Sequence, residues 1–362
     1  MNFVLIAAWL LAAVSAIVIH PDAAYIDYID FHTLGLLFCL MTVMAGLNRL
    51  GLFAQAAKKM LSTVKNSRQL ELILVLLCFF SSMLITNDVA LITFVPFALQ
   101  VLELAGRKKT LIPVVVLQTV AANLGSMLTP IGNPQNLYLY SRSGMGPGQF
   151  LLLMLPLTVL SAALIIILIF VRKKVSLENL CLQETEAPKS CRKAVMYGIL
   201  FLLCLCCVAR VLPVWIMVLL ILAAVLAADR RTLRHVDYSL LLTFVGFFIF
   251  ICNMGRIEVF CSFLQQMIDG QEVLTAVLSS QVISNVPAAL LLSGFTSQWE
   301  ALLIGTNIGG LGTLIASMAS LISYRLVAAA LPGERGRYIG CFTAVNAGFL
   351  AVLLGAAFLL YR

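Results

Sequence analysis

SSMLITNDVAL (Ser81–Leu91) and SSQVISNVPAA (Ser279–Ala289) are two copies of one segment. Ser81 matches Ser279, Ile85 matches Ile283, Thr86 matches Ser284 and Asn87 matches Asn285. Each copy interrupts an apolar run with a hydroxyl–asparagine pair and then resumes it. The similarity continues downstream, where ANLGSMLTPIGNPQNL (Ala122–Leu137) lies over TNIGGLGTLIASMASL (Thr306–Leu321). There Asn123 meets Asn307, Gly125 meets Gly309, Thr129 meets Thr313, Ile131 meets Ile315 and Leu137 meets Leu321. Upstream of each copy is an amphipathic stretch, NRLGLFAQAAKKM (Asn48–Met60) and GRIEVFCSFLQQM (Gly255–Met267), in which Arg49 pairs with Arg256 and Phe53 with Phe260. Such stretches read as helices lying along a membrane surface.

The membrane follows from composition. Of 362 residues, 62% are hydrophobic and 11% charged, and the mean hydropathy is +1.04. A soluble core cannot hide that much apolar surface. Several apolar stretches reach the ~20 residues that cross ~30 Å of hydrocarbon as a helix, and the short alternating strands of an outer-membrane barrel are absent. The first stretch, Asn2 to Ile19, lacks the basic start and cleavage site of a signal peptide, so it reads as a retained span.

Charge sets the topology. The net charge is +8, but the basic residues sit in short loops, where they orient the chain in the bilayer rather than bind nucleic acid. Lys58, Lys59, Lys65 and Arg68, then Arg107 to Lys109, Arg172 to Lys174, Lys189 to Lys193, Arg230 to Arg234, and Arg335 with Arg337 all fall inside in one consistent threading. That threading makes 70–104 re-enter from the cytoplasm and Glu272 to Thr296 re-enter from outside. The fold class expected is therefore all-α integral membrane: an inverted-repeat transporter with about nine spans, two re-entrant hairpins and broken helices at the midplane. The N-terminus lies inside and the C-terminus outside the cell (inner) membrane.

The first repeat covers 1–171, with surface helix 48–61, hairpin 70–104, broken span 111–140 and span 149–171. A cytoplasmic linker covers 172–193. The second repeat covers 194–362, with surface helix 255–268, hairpin 271–297, broken span 299–327 and final span 338–360. Non-helical backbone at membrane depth survives only around a protein-lined or watery cavity, so the breaks locate the site.

Candidate site residues follow from the breaks. Thr86-Asn87 and Ser284-Asn285 are the hairpin tips. Pro130 and Pro134 bracket Ile131-Gly132-Asn133, and two prolines so close cannot continue a regular helix; Asn136 follows. Thr129 and the repeat-matched Asn123, Asn307, Gly309, Gly312 and Thr313 complete the set. Carbonyls with Asn, Ser and Thr oxygens suit Na⁺, whereas helix N-termini suit an anion; a Na⁺ site is expected near Asn87, Asp88, Asn133 and Asn285. Asp88 is the acid expected at the bilayer centre, where an unpaired charge costs at least ~2.5 kcal/mol. It serves as a cation ligand, as a proton carrier, or as a cap on the second arm of the hairpin. No resident cofactor is expected; Na⁺ or H⁺ is the coupling ion.

The other chemistry-bearing residues read as structure. The ten cysteines, including Cys204, Cys206 and Cys207 in one helix and Cys181 and Cys191 in the linker, match no ligand spacing and read as small apolar packing. His20, His32 and His235 fall at membrane borders.

At these motifs the chain resembles the ion transporter superfamily, which includes the arsenite pump membrane subunit, NhaD-type sodium/proton antiporters, citrate–metal transporters and sodium-coupled dicarboxylate transporters. TNDVALITFVP (Thr86–Pro96) is similar to the hairpin of the arsenite, NhaD and citrate–metal branch. TPIGNPQN (Thr129–Asn136) resembles that branch's break, and ISNVPA (Ile283–Ala288) its second tip. Dicarboxylate members carry Ser-Asn-Thr at both tips, unlike the Thr-Asn-Asp and Ser-Asn-Val here. The resemblance implies an elevator-like movement of hairpins and broken spans against a scaffold, and a homodimer. The chain departs from the family in having two spans before the first surface helix and three before the second.

The function expected is secondary transport of a small anion or oxyanion of arsenite, citrate or dicarboxylate type, coupled to H⁺ or Na⁺. The alternative is cation/proton antiport with Asp88 as the exchanging group. A membrane enzyme is a different class, and the chain carries no HExxH, GxSxG or paired intramembrane carboxylates to support it; a receptor or channel would lack saturable, gradient-driven flux.

Overall fold

The computed structural model describes residues 3–61, 64–176 and 190–361. Among them the chain is built of helices and their connections, with one isolated bridge between Asn66 and Ser176. The helices are α1 (Phe3–Val18), α2 (Phe31–Arg49), α3 (Leu52–Leu61), α4 (Ser67–Ile85), α5 (Asn87–Leu104), α6 (Leu111–Ser126), α7 (Pro134–Ser143) and α8 (Pro147–Phe170). After the linker come α9 (Cys191–Val208), α10 (Val214–Ala228), α11 (Tyr238–Gly255), α12 (Glu258–Ile268), α13 (Glu272–Ile283), α14 (Asn285–Ser293), α15 (Trp299–Ile308), α16 (Met318–Ala330) and α17 (Arg335–Leu360). Most of the expected linker, including Cys181 and Lys189, lies outside the described residues.

Among the described residues, seven helices are long and apolar enough to cross a membrane: α2, α4, α5, α8, α9, α11 and α17 with its preceding turn. This tally differs from about nine spans for a physical reason. At 1.5 Å per residue, the 16-residue α1 and the 15-residue α10 rise only about 24 and 22 Å, and each broken span consists of two pieces too short to qualify. Conversely, both arms of the first hairpin are long enough to be included.

The hairpin itself is visible in one side chain. Gln118 of α6 donates through Nε2 to the carbonyls of Leu74 (3.0 Å) and Phe94 (3.4 Å). Leu74 precedes the turn on α4 and Phe94 follows it on α5, so the two arms run side by side. In the second half, Asp269 just after α12 and Glu272 at the start of α13 line the same cavity as Gly294 to Gln298 beyond α14, which closes that hairpin likewise.

At the centre, every residue from Val114 to Met127 is buried. A membrane helix that carries Gln118, Thr119, Asn123 and Ser126 turns those polar groups toward protein rather than lipid, and α4, α5, α8, α16 and α17 surround α6. The outward faces of α1, α8, α9 and α10 instead expose Ile17, Leu152, Leu202 and Trp215, among others, as lipid contact requires. The start of α4 is fastened to the end of α8 by an ion pair, Arg172 Nη1 to Glu71 Oε2 at 3.0 Å, and by Arg68 Nη2 to the Arg172 carbonyl at 2.8 Å. The amphipathic α12 exposes Val259, Phe263 and Met267 on one stripe and sets Phe260 edge-on to Phe295, 5.7 Å away at the base of the second hairpin.

Candidate functional site

Both hairpins turn on a single residue in a conformation that only glycine adopts freely. Thr86 has φ 70°, ψ 150° and Ser284 has φ 74°, ψ 154°. Each costs of order 1–3 kcal/mol unless its surroundings fix it. They do: Asn87 N–H donates to the Gly132 carbonyl (3.1 Å), and Asn285 N–H donates to the Ala316 carbonyl (2.9 Å). Each tip is thus bonded to the break in its own half.

Further bonds repeat with the same offsets. Thr129 Oγ1 donates to the Met83 carbonyl, and Thr313 Oγ1 to the Gln281 carbonyl. Gly132 N–H reaches the Thr129 carbonyl and Ala316 N–H the Thr313 carbonyl, both at 3.2 Å. Asn133 caps α7 by accepting from Asn136 N–H, with Pro134 as the first helical residue, while Ser317 caps α16 by accepting from Ala319 N–H. Proline fits there because that N–H has no intrahelical partner anyway.

The bonds between halves are reciprocal. Asn133 Nδ2 donates to Asn307 Oδ1 (3.1 Å), and its counterpart Ser317 Oγ donates to Asn123 Oδ1 (3.0 Å). Residue i of one half meeting j of the other, and j meeting i, is the mark of a two-fold relation. Asn87 Nδ2 also reaches Asn123 Oδ1 (3.1 Å), and Asn307 Nδ2 donates to Asn136 Oδ1 (2.6 Å). Asn136 Nδ2 lies 3.2–3.3 Å from the carbonyls of Ser126, Met127 and Thr129. All of these asparagines are buried; such groups require partners, and here they partner one another.

Thr86, Asn87, Asn123, Thr129, Gly132, Asn133, Pro134, Asn136, Ser284, Asn285, Asn307 and Gly309 therefore belong to two tips and two breaks in direct contact. Gly312 and Thr313 stand further out: Gly312 has φ 104°, Thr313 is exposed, and both lean on Gln281, whose Oε1 accepts from Thr313 N–H at 2.9 Å. Asp88 makes no side-chain hydrogen bond to the network. Its N–H donates to Asn87 Oδ1 (3.0 Å), while its own Oδ1 is buried without a hydrogen-bond partner.

Four contributors escaped the sequence reading. Ser126 and Ser317 were recoverable, since Ser317 occupies the repeat position of Asn133. Gln118 and Gln281 carry no such signal, because neither is matched by a like residue in the other half. A narrow cavity also opens beside the second tip, lined by Ser284, Val286, Pro287 and Met318, by Thr243 of α11 and by Asp237, which caps that helix.

With this geometry in view, the similarity to known proteins is decisive. The family model described as Citrate transporter, CitMHS, matches residues 2–298. The chain belongs to the CitMHS family. An uncharacterized transporter of Methanocaldococcus jannaschii is 36% identical over 267 residues, covering 74% of this chain and 73% of that one. The inner membrane protein YbiR of Escherichia coli is 32% identical over 307 residues, covering 82% and 80%. A silicon efflux transporter of Oryza sativa is 37% identical over 151 residues, covering 41% and 30%. Both hairpins and the first break lie within the CitMHS match. The protein is a multi-pass membrane transporter of this family.

Proposed function

We propose that this CitMHS-family chain carries a small anion or oxyanion of citrate, arsenite or dicarboxylate type across the inner membrane, coupled to H⁺ or Na⁺. The observation that supports this most is the reciprocal joining of two tips and two breaks. It gathers the N-terminal ends of α5, α7, α14 and α16 with helix-end carbonyls and asparagine amide oxygens in one buried region. Positive helix ends suit an anion, and carbonyls with amide oxygens suit a cation. The family description, citrate transporter, supports an anionic cargo.

In this reading Thr86, Asn87, Asn133, Ser284 and Asn285 contact the substrate or ion, and Asn123, Asn136 and Asn307 hold them in place. The chain forms two inverted repeats, 1–171 and 194–362, with about nine spans and two re-entrant hairpins. Its N-terminus lies inside and its C-terminus outside. Hairpins and broken spans move as one body, elevator-like, against α1, α2 and α9 to α11, with α3 and α12 as connecting arms and a homodimer as the scaffold's platform. The aromatic contact of Tyr138 on α7 with Phe244 and Phe248 on α11, at 6.1 and 5.8 Å, is the sliding surface.

A second reading, cation/proton antiport, draws on the partnerless Oδ1 of Asp88. A buried carboxylate oxygen takes either a proton or a cation. The test is the melting temperature of the purified protein against Na⁺, Li⁺, arsenite, citrate–metal complexes, succinate and sulfate over a range of pH. A ligand at 100 times its Kd adds about 2.7 kcal/mol to the folded state. A rise with one anion, enlarged by Na⁺ or by acid, is expected. Rises with Na⁺ or pH alone favour antiport, and no response to any anion rejects the first reading.

A further inference from the structure

Away from the tips, a cavity of about 480 Å³ lies where α2, α9 and the α10–α11 connection meet, lined by Arg49, Lys193, Asp229, Arg230 and Arg231 together with Leu226 to Ala228. One carboxylate there faces four cations. Asp229 is already shared, at 3.5 Å from Arg49 Nη1 and 3.2 Å from Lys193 Nζ, and Arg49 also donates to Thr232 Oγ1 at 2.7 Å. Arg230 uses Nε on the Leu226 carbonyl (2.7 Å), which leaves its terminal nitrogens free to donate. Arg231 is exposed, and its guanidinium has no partner among the described residues. Among the described residues the cavity thus holds more donors and more positive charge than its own acceptors satisfy.

What adjoins this cavity is apolar and outward-facing. α10 exposes Trp215, Leu219 and Leu226, and the packed α9 exposes Val195, Ile199 and Leu202. On each helix these residues are three, four or seven apart, so they form stripes along one face, and both stripes end at the cationic cavity. A ligand that matches both parts has an anionic phosphate joined to hydrocarbon chains.

We infer that this cavity and the two stripes bind one anionic phospholipid, its phosphate held by Arg230, Arg231 and Lys193 and its acyl chains laid along α9 and α10. Asp229 fixes Arg49 and Lys193 so that their charges stay in the cavity rather than spreading into solvent. Free phosphate shares the headgroup chemistry but cannot use the stripes. The inference is independent of what the protein transports.

The test is a titration of the purified full chain, in neutral detergent, with phosphatidylglycerol, phosphatidylcholine and inorganic phosphate, followed by melting temperature. Phosphatidylglycerol is expected to raise it saturably, with phosphatidylcholine weaker and inorganic phosphate without effect. Each basic residue near an anionic headgroup contributes about a factor of five, so Arg231→Ala should weaken phosphatidylglycerol binding about 5-fold and Arg230→Ala with Arg231→Ala about 30-fold. Arg231 makes no bond that the fold needs, so the single variant reads binding even if the double variant folds poorly. Lys173→Ala with Lys174→Ala removes equal charge elsewhere and should change nothing. Equal weakening by both double variants, no weakening by Arg231→Ala, or a full response to inorganic phosphate would each overturn the assignment.

Discussion

Asn307→Ala cuts the junction between the halves at a residue that makes two bonds across it. Asn307 accepts from Asn133 Nδ2 at 3.1 Å and donates to Asn136 Oδ1 at 2.6 Å. After truncation Asn133 Nδ2 keeps Ser126 Oγ at 3.1 Å, but the oxygen of the fully buried Asn136 loses that donor. An abandoned buried acceptor costs ~1–3 kcal/mol and each lost bond about 1 kcal/mol, so the sum is about 3 kcal/mol. At roughly 2.1 cal/mol/K per residue of unfolding entropy, that lowers the melting temperature of a chain this size by about 4 °C. The matched control is Asn346→Ala on α17. Asn346 is equally buried, but its Nδ2 bonds only the Phe342 carbonyl of its own helix (2.9 Å) and its Oδ1 has no partner. Removing an unsatisfied oxygen offsets the lost bond, so the change there should stay within about 1 °C. Melting of both variants in detergent by intrinsic fluorescence decides the matter. If Asn307→Ala melts no lower than Asn346→Ala, the cross-half network is not what holds the tips and breaks together.

Arg172→Ala should lower stability by about 3 kcal/mol, because it strands Glu71, whose side chain is 3% exposed, as an unpaired buried charge; chemical denaturation checks it. Gly125→Ala places a methyl against the Phe79 carbonyl, and Gly309→Ala presses one on Ser280 Oγ at 2.7 Å. Each should cost ~1–3 kcal/mol by overpacking, whereas Gly198→Ala on α9 meets nothing within 4 Å and should be neutral or stabilising in the same melt. Burial pushes the Asp229 carboxyl up, but the Thr232 hydroxyl, Lys193 and Arg49 outweigh it and hold the group below the usual carboxylate range. Its stabilising contribution is therefore present above the unfolded pKa near 4 and lost as pH falls through the lower folded value. Asp229→Asn should melt lower at pH 7 and lose less on acidification than the parent, and parallel curves would contradict this.

The helical architecture and the two tips were legible because they are written in short-range chemistry. Runs of apolar residues, Pro130 with Pro134, and the repeated hydroxyl–asparagine pairs each act within one turn of helix. The reciprocal bonds were not, since Asn133 and Asn307 stand 174 residues apart and nothing local marks them as partners. Gln118 reads as a stray polar residue in a buried helix until its two carbonyl partners come together from α4 and α5. The basic cavity was hidden for a similar reason. Arg49, Lys193 and Arg230 to Arg231 come from three separate segments, and in the sequence each only votes for the inside of the membrane. The span count diverged because length and hydropathy measure single helices, whereas a broken span divides its apolar residues between two.

The most direct measurement is gradient-driven uptake, into proteoliposomes, of whichever anion most raises the melting temperature, by the parent chain and by Asp88→Asn. The parent should take it up saturably and only under an imposed Na⁺ or proton gradient, and Asp88→Asn should insert normally but lose the coupling. Uptake that neither saturates nor follows a gradient, or that Asp88→Asn leaves unchanged, would contradict a coupled transporter centred on the two tips.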